Sequence, residues 1–170
     1  NKFIDNLIAL KPEVSNELCW PIGRAISQCG NELRGVAERS RHMVKIAKES
    51  LQNIPATKND EFDNYIYKSP LGVIFVMAPW NYPIITATNT IVPALLAGNT
   101  ILIKHSSQSP RCAELISQAF ENTGLPEGVF QFVHTDHQSC EKIISDNRIA
   151  HVVFTGSVKG GQEVKRYIGT

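Results

Sequence analysis

The residues with the most chemistry to offer fall in three short stretches. "APWNYP", residues 78–83, sets an indole, Trp80, and an amide, Asn81, between Pro79 and Pro83. "KHSSQSP", residues 104–110, brings an ammonium, Lys104, and a run of hydroxyls that includes Ser107. "FTGSVKGG", residues 154–161, is a glycine-rich turn containing Gly156, Ser157 and Gly161. An amide, a cation, hydroxyls and the accessible backbone of a glycine turn together suit a site for a nucleotide and a carbonyl substrate.

Taken singly, each stretch leaves two readings open. The glycine turn could hold a phosphate at the positive end of a helix, or it could be an ordinary strand-to-helix turn. Gly156 and Gly161 have the G-x-x-x-x-G spacing of a P-loop, but Gln162 and Glu163 stand where Lys and Ser or Thr are required, which disfavours a P-loop ATPase. Lys104 could reach a phosphate or ribose, or simply stand solvated at a strand end. Trp80 could wall a cofactor groove or only pack beside its prolines. His134, Asp136 and His137 are metal-binding types, yet they share one loop and lack a second ligand pair, so no metal is assigned to them. Cys19, Cys29, Cys112 and Cys140 form no C-x-x-C pair and have no activating partner nearby in sequence. Reduced thiols, none of them a nucleophile, are expected.

These stretches share a position relative to the secondary structure. Short runs rich in Val, Ile or Phe predict strands near 71–77, 100–104, 129–134 and 150–154, with helices in the gaps. Ser109 suits a cap, Pro110 a first turn and Gly124 a stop for the second of those helices. In the first gap Gly98 and Asn99 mark the end, and Pro93 predicts a kink or a late start. Such alternation predicts an α/β fold with a doubly wound, parallel, Rossmann-like sheet, in which ligands gather at the carboxyl ends of the strands. The three stretches follow the first, second and fourth strands. Upstream, residues 1–58 read as amphipathic helices. Leu33, Val36, Ala37, Ser40, Val44, Ala47 and Leu51 recur at helical steps, and a shorter helix is expected near 14–29, with Pro21 at its start or kinking it. Pro55 ends the helical part, and alternation through Tyr65, Ile66 and Tyr67 suits an exposed strand or hairpin arm.

The bulk properties exclude several classes. With 170 residues, 42% of them apolar, the chain can bury one sizeable core. A net charge of +1, with 17 scattered basic residues, offers no field to attract nucleic acid or an acidic membrane. Asn89, Pro93 and Gly98 interrupt the longest apolar stretch well short of the ~20 residues a membrane span needs. No signal-peptide pattern is seen, and a cytoplasmic location is expected.

Four segments in register carry a resemblance. "PLGVIFVMAPWNYP", "PALLAGNTILIKHSSQSP", "GLPEGVFQFV" and "VVFTGS" are similar, in order and spacing, to the cofactor-binding region of the aldehyde dehydrogenase superfamily. "GNELRGVAERSRHMV" resembles that family's helical segment and "FDNYIYKSPLGV" its oligomerisation arm, so the resemblance covers essentially the whole chain. The wording of "IKHSSQSPRCAELI" and "RIAHVVFTGSVKGG" is closest to the branch oxidising succinate semialdehyde, where His often follows the lysine.

The resemblance implies a division of labour. Residues 1–58 would be helices of the cofactor-binding domain, 59–70 an arm pairing subunits into a dimer or tetramer, and 71–170 an incomplete Rossmann-like region. In the family a cysteine thiolate attacks the aldehyde, and the amide of the Asn in this motif, here Asn81, holds the oxyanion. A donor aimed where charge develops contributes ~3–4 kcal/mol of transition-state stabilisation. Pro79 and Trp80 would border NAD or NADP, Lys104 would meet the adenosine ribose, and Gly156 and Ser157 would lie near the pyrophosphate. Two departures follow. Ser107 stands where NAD-preferring members often carry a glutamate, and without a carboxylate there NADP is permitted as well as NAD. The family's G-Q-x-C and E-L-G-G segments, which carry its nucleophile and base, do not occur in these residues. The chain is therefore expected to be the amino-terminal part of a longer enzyme and inactive alone. The alternative is a non-catalytic nucleotide-binding or interaction module.

Overall fold

A computed structural model describes residues 1–58 and 62–168. The chain begins with three helices, α1 (Lys2–Ala9), α2 (Lys11–Cys19) and α3 (Ile26–Ser50). The single helix expected near 14–29 is replaced by α2, a break, and the start of α3. Pro21 cannot extend α2, and Gly23, at φ +75, lets the N–H groups of Gly23 and Arg24 turn back onto the carbonyls of Cys19 and Leu18. The amphipathic stripe of α3 is buried only as far as Ser40. Its continuation, Val44 and Leu51, is exposed.

A two-stranded antiparallel ribbon follows, β1 (Ile54–Lys58) and β2 (Asp63–Ile66), with Pro55 opposite Tyr65. Residues 54–58, expected within the helical part, belong to the ribbon, and Pro55 is not the stop expected of it, since α3 has already ended at Ser50. The part of the expected arm at 59–61 lies outside the described residues. Tyr65, Ile66 and Tyr67 are exposed.

From residue 73 the expected alternation holds. Four parallel strands, β3 (Val73–Ala78), β4 (Thr100–His105), β5 (Phe130–Phe132) and β6 (Ile149–Phe154), lie in the order β5-β4-β3-β6. They alternate with α4 (Pro83–Leu96), α5 (Arg111–Phe120), α6 (His137–Ile144) and α7 (Val158–Tyr167). Strand β3 is buried on both faces. Ile74, Val76 and Ala78 join the core shared with α1 to α5, while Phe75 and Met77 join a smaller one with Cys140, Ile144 and Val164. Phe3 stacks on Phe120 with ring centroids 4.0 Å apart, which fastens α1 to α5.

The structure bears on two expectations about helix ends. Pro93 neither delays nor breaks α4, which starts at Pro83 and runs through it. The bond Pro93 removes is to the carbonyl of Asn89, at the surface, where water can take its place. Ser109 does not cap α5: Pro110 is the N-cap residue, and the Ser109 hydroxyl is buried without a hydrogen-bond partner among the described residues. At the other end α5 stops at Phe120, and Gly124, at φ +87, shapes the turn beyond it.

Buried Asn99 ties α4 to β3. Its Oδ1 accepts from the N–H groups of Leu71 (2.7 Å) and Gly72 (3.1 Å), and its Nδ2 donates to the carbonyl of Ala94 (3.0 Å). Asn99→Ala leaves the N–H groups of Leu71 and Gly72 without this acceptor, while the carbonyl of Ala94 keeps the backbone N–H of residue 99, and should lower stability by ~1–3 kcal/mol. Chemical denaturation measures this, and an unchanged midpoint would show that water replaces the side chain.

Candidate functional site

Parallel strands point their carboxyl ends the same way, so the segments after β3, β4 and β6 meet. They line one cavity of about 810 Å³. Of the residues singled out in the sequence, Pro79, Trp80, Asn81, Lys104, Gly156 and Ser157 line it. Ser107 and Gly161 lie just outside the lining, where their neighbours Ser106 and Gly160 take the place.

Each group has a distinct setting. Pro79 is buried at the end of β3, whereas Trp80, at 47% exposure, and Asn81 stand open to the cavity mouth. The Asn81 amide makes no hydrogen bond to the described residues, so its donors are available. Lys104 is only 9% exposed, and no carboxylate among the described residues pairs with it. A buried, unpaired ammonium facing a cavity is poised for an anionic or hydroxyl-rich ligand. Ser157 caps α7, its Oγ accepting from the N–H of Gly160 at 3.1 Å.

The far wall comes from residues that the sequence reading passed over. His137, Cys140, Glu141 and Ile144 of α6 and Gly160, Glu163, Val164 and Tyr167 of α7 line the cavity. Both sets have the i, i+3, i+4, i+7 spacing of one helix face, which was the available signal. Cys140 is buried in this wall. Burial pushes its thiol up, with the Lys104 ammonium pulling the other way. The His and Asp trio is separated in function: His134 Nε2 lies 2.9 Å from Glu114 Oε1, and Asp136 caps α6 by accepting from the N–H of Ser139 at 2.8 Å. That hydrogen bond holds the Asp136 carboxyl below its ordinary range.

The glycines are explained by Phe154. A Cβ on Gly156 would stand 2.5 Å from its Cζ, and one on Gly160 would stand 2.7 Å from the same atom. The ring supports the turn from below, and only glycine lets the backbone pass so close.

This architecture has known counterparts. The aldehyde dehydrogenase family matches residues 1–170, and the chain belongs to that family. It is 32% identical over 172 residues to an aldehyde dehydrogenase of Paenarthrobacter nicotinovorans, covering 99% of this chain and 38% of that protein. It is 33% identical over 159 residues to the succinate semialdehyde dehydrogenase Sad of Escherichia coli (strain K12), named as using NAD(P)+, covering 92% and 33% respectively. Among solved structures, Gox0499, studied for its cofactor and substrate selection, superposes with a TM-score of 0.91 at 28% identity, covering 99% of this chain and 37% of that one. The fold is also that of the succinic semialdehyde dehydrogenase of Streptococcus pyogenes in complex with NADP+, with a TM-score of 0.84 at 23% identity over 99% and 38% of the two chains. The chain thus spans little more than a third of the length of the curated relatives it matches. No helix among the described residues is long and apolar enough to cross a membrane.

Gly156→Ala must displace the Phe154 ring and should lower stability by ~1–3 kcal/mol. Adding Phe154→Leu opens the space, so the double variant should lose less than the sum of the two single losses. Urea denaturation of the three variants checks this, and strict additivity would show that the ring and the turn are independent.

Proposed function

We propose that this chain is the coenzyme-binding part of an NAD(P)-dependent aldehyde dehydrogenase, with succinate semialdehyde as the favoured substrate. The observation that carries the reading is one cavity lined jointly by the Asn81 loop, Lys104 and the Gly156–Ser157 turn. The branch assignment is supported by the likeness to Sad and to the succinate-semialdehyde dehydrogenase, named as using NADP+, of Mycobacterium avium (strain 104), which is 32% identical over 171 residues.

The residues present fit such a coenzyme. Glycines bring the backbone of the turn close to Phe154 with no Cβ in the way, a capped helix begins beside it, and a buried lysine faces the same space. On this reading Pro79 and Trp80 border the dinucleotide, Lys104 meets the adenosine ribose, and Gly156 and Ser157 lie against the pyrophosphate, with Gly161 supporting the turn. When bound, NAD or NADP supplies the hydride acceptor for the aldehyde carbon. Asn81 donates its amide N–H to the substrate oxygen as negative charge develops there, and an amide does this without a titration to manage. The ribbon, with Tyr65 and Tyr67 exposed, is suited to pair with a sheet edge in a second subunit.

In the intact enzyme, Asn81→Ala should lower kcat by ~100-fold or more and leave coenzyme affinity nearly unchanged. Steady-state kinetics and coenzyme titration followed by tryptophan emission separate the two, and an unchanged kcat would remove the oxyanion role.

Ser107→Glu adds a charge beside the expected 2'-position and should weaken NADP binding by ~10-fold or more relative to NAD. Ser106→Glu, one residue nearer the cavity, serves as the comparison. A larger discrimination from Ser106→Glu would move the determinant to Ser106.

A further inference from the structure

Helix α4 begins directly after Asn81 and Tyr82, yet it carries no cap of its own. Its N-cap residue, Tyr82, lies at φ +52 and ψ +51, in the left-handed region that bulky residues seldom adopt, and no side chain of the loop caps the first turn. The bonds come from a distant helix. Glu32 of α3, buried at 3% exposure, accepts through Oε1 from the N–H groups of Ile84 at 2.8 Å and Ile85 at 3.0 Å. Its Oε2 pairs with the guanidinium of Arg24. Arg24 in turn stands 4.4 Å over the ring of Tyr82, a cation–π contact on the residue that is held left-handed.

A third contact reaches the same turn from the sheet. His105, at the end of β4, places Nε2 3.2 Å from the carbonyl oxygen of Pro83, so Nε2 carries the proton and donates. Burial lowers the pKa of this imidazole to about 4, and it is neutral at physiological pH. The turn that follows Asn81 is therefore gripped at Tyr82, Pro83, Ile84 and Ile85 by groups from three separate elements. None of Arg24, Glu32 or His105 lines the cavity.

We propose that Glu32, working with Arg24, is a positioning residue that fixes the direction of the Asn81 amide by holding the left-handed turn at Tyr82. The inference rests on the oxyanion reading of Asn81. A buried carboxylate paired with a cation is an expensive way merely to stabilise a helix, since apolar side chains of similar volume do that at least as well. Its placement against the first N–H groups of α4 uses the charge where the helix end is positive. The grip reaches the loop and leaves the lining at Lys104, Gly156 and Ser157 untouched, so its loss should act on turnover and spare coenzyme binding.

The test uses the intact enzyme at a temperature where circular dichroism shows each variant folded. Glu32→Gln keeps an acceptor for Ile84 and Ile85 and removes the charge that holds Arg24. Tyr82→Gly removes the ring that Arg24 holds and lets residue 82 leave the left-handed region as readily as occupy it. Each should lower kcat by ~10- to 100-fold, as expected for a misplaced donor, with coenzyme Kd within about two-fold of wild type. Asn81→Ala should then cost less in the Glu32→Gln background than in the wild type. Wild-type kcat in both variants, while Asn81→Ala keeps its full effect, would overturn the positioning role alone. A loss confined to coenzyme Kd would overturn it too, and an Asn81→Ala enzyme with normal kcat would remove the oxyanion reading and this inference together. If Glu32→Gln does not fold, Tyr82→Gly decides by the same criteria.

Discussion

Strand β3 is hydrogen-bonded on both edges, to β4 and to β6, and its side chains must therefore find cover on both faces. The two faces are covered unequally. Ile74, Val76 and Ala78 meet a core built by five helices, whereas Phe75 and Met77 meet a smaller cluster of Cys140, Ile144 and Val164 with partly buried residues such as Phe154 around it. On that second side α6 and α7 leave a groove between them, and Met77, Cys140, Ile144 and Val164 reappear in its lining. The cavity is what remains when a parallel sheet is packed fully on one face and partly on the other. Because parallel strands end together, the loops with reactive side chains open at the same rim.

The rim elements are held in place by two different means. Helices α6 and α7 are capped locally, by Asp136 and Ser157, each accepting from an N–H three residues on. A local cap fixes a helix end relative to its own loop and little else. Helix α4 instead takes its cap from α3, across a separation of more than fifty residues, and so its first turn is referred to the large core. Glycine plays the matching role at β6. Gly156 and Gly160 are tolerated by, and require, the ring of Phe154, which packs against the smaller cluster.

The same distinction separates what was legible in the sequence from what was not. Strand positions were legible because β-branched runs such as Val73–Met77 reflect burial on both faces. Pro79, Asn81, Lys104 and Gly156, which line one cavity, were singled out because unusual residues at expected strand ends stand out in the sequence. Helix α1 lies in the stretch read as helical but was not placed as a separate helix, since Phe3, Ile4 and Leu7 fill too short a window for periodicity to speak. The apolar stripe of α3 runs on to Leu51 in the sequence, but Val44 and Leu51 have nothing from the described residues packed fully over them. Ser109 had the right type and position for a cap, and tertiary packing buried its hydroxyl instead. Glu32 was invisible in principle. One acidic residue among several on a charged helix carries no sign that its carboxylate turns inward, and only the crossing of α3 over the start of α4 defines its role.

The oxyanion role proposed for Asn81 would account for the borrowed cap of α4. Asparagine is among the best N-cap residues, and Asn81 sits one position before the N-cap of α4, so a slight shift of the loop would let its amide satisfy the helix. A side chain engaged through Oδ1 in that way would have its direction set by the helix and not by the cavity. Holding Tyr82 left-handed keeps Asn81 off the helix axis, and the first-turn N–H groups then need another acceptor. A loop serine would fix the helix end only to its own loop, whereas Glu32 refers it to α3, and removing either member of the Arg24–Glu32 pair would leave the other charge uncompensated. The buried charge, costly by itself, is explained by what it leaves free: an amide that makes no hydrogen bond within the described chain and stands at the mouth of the cavity.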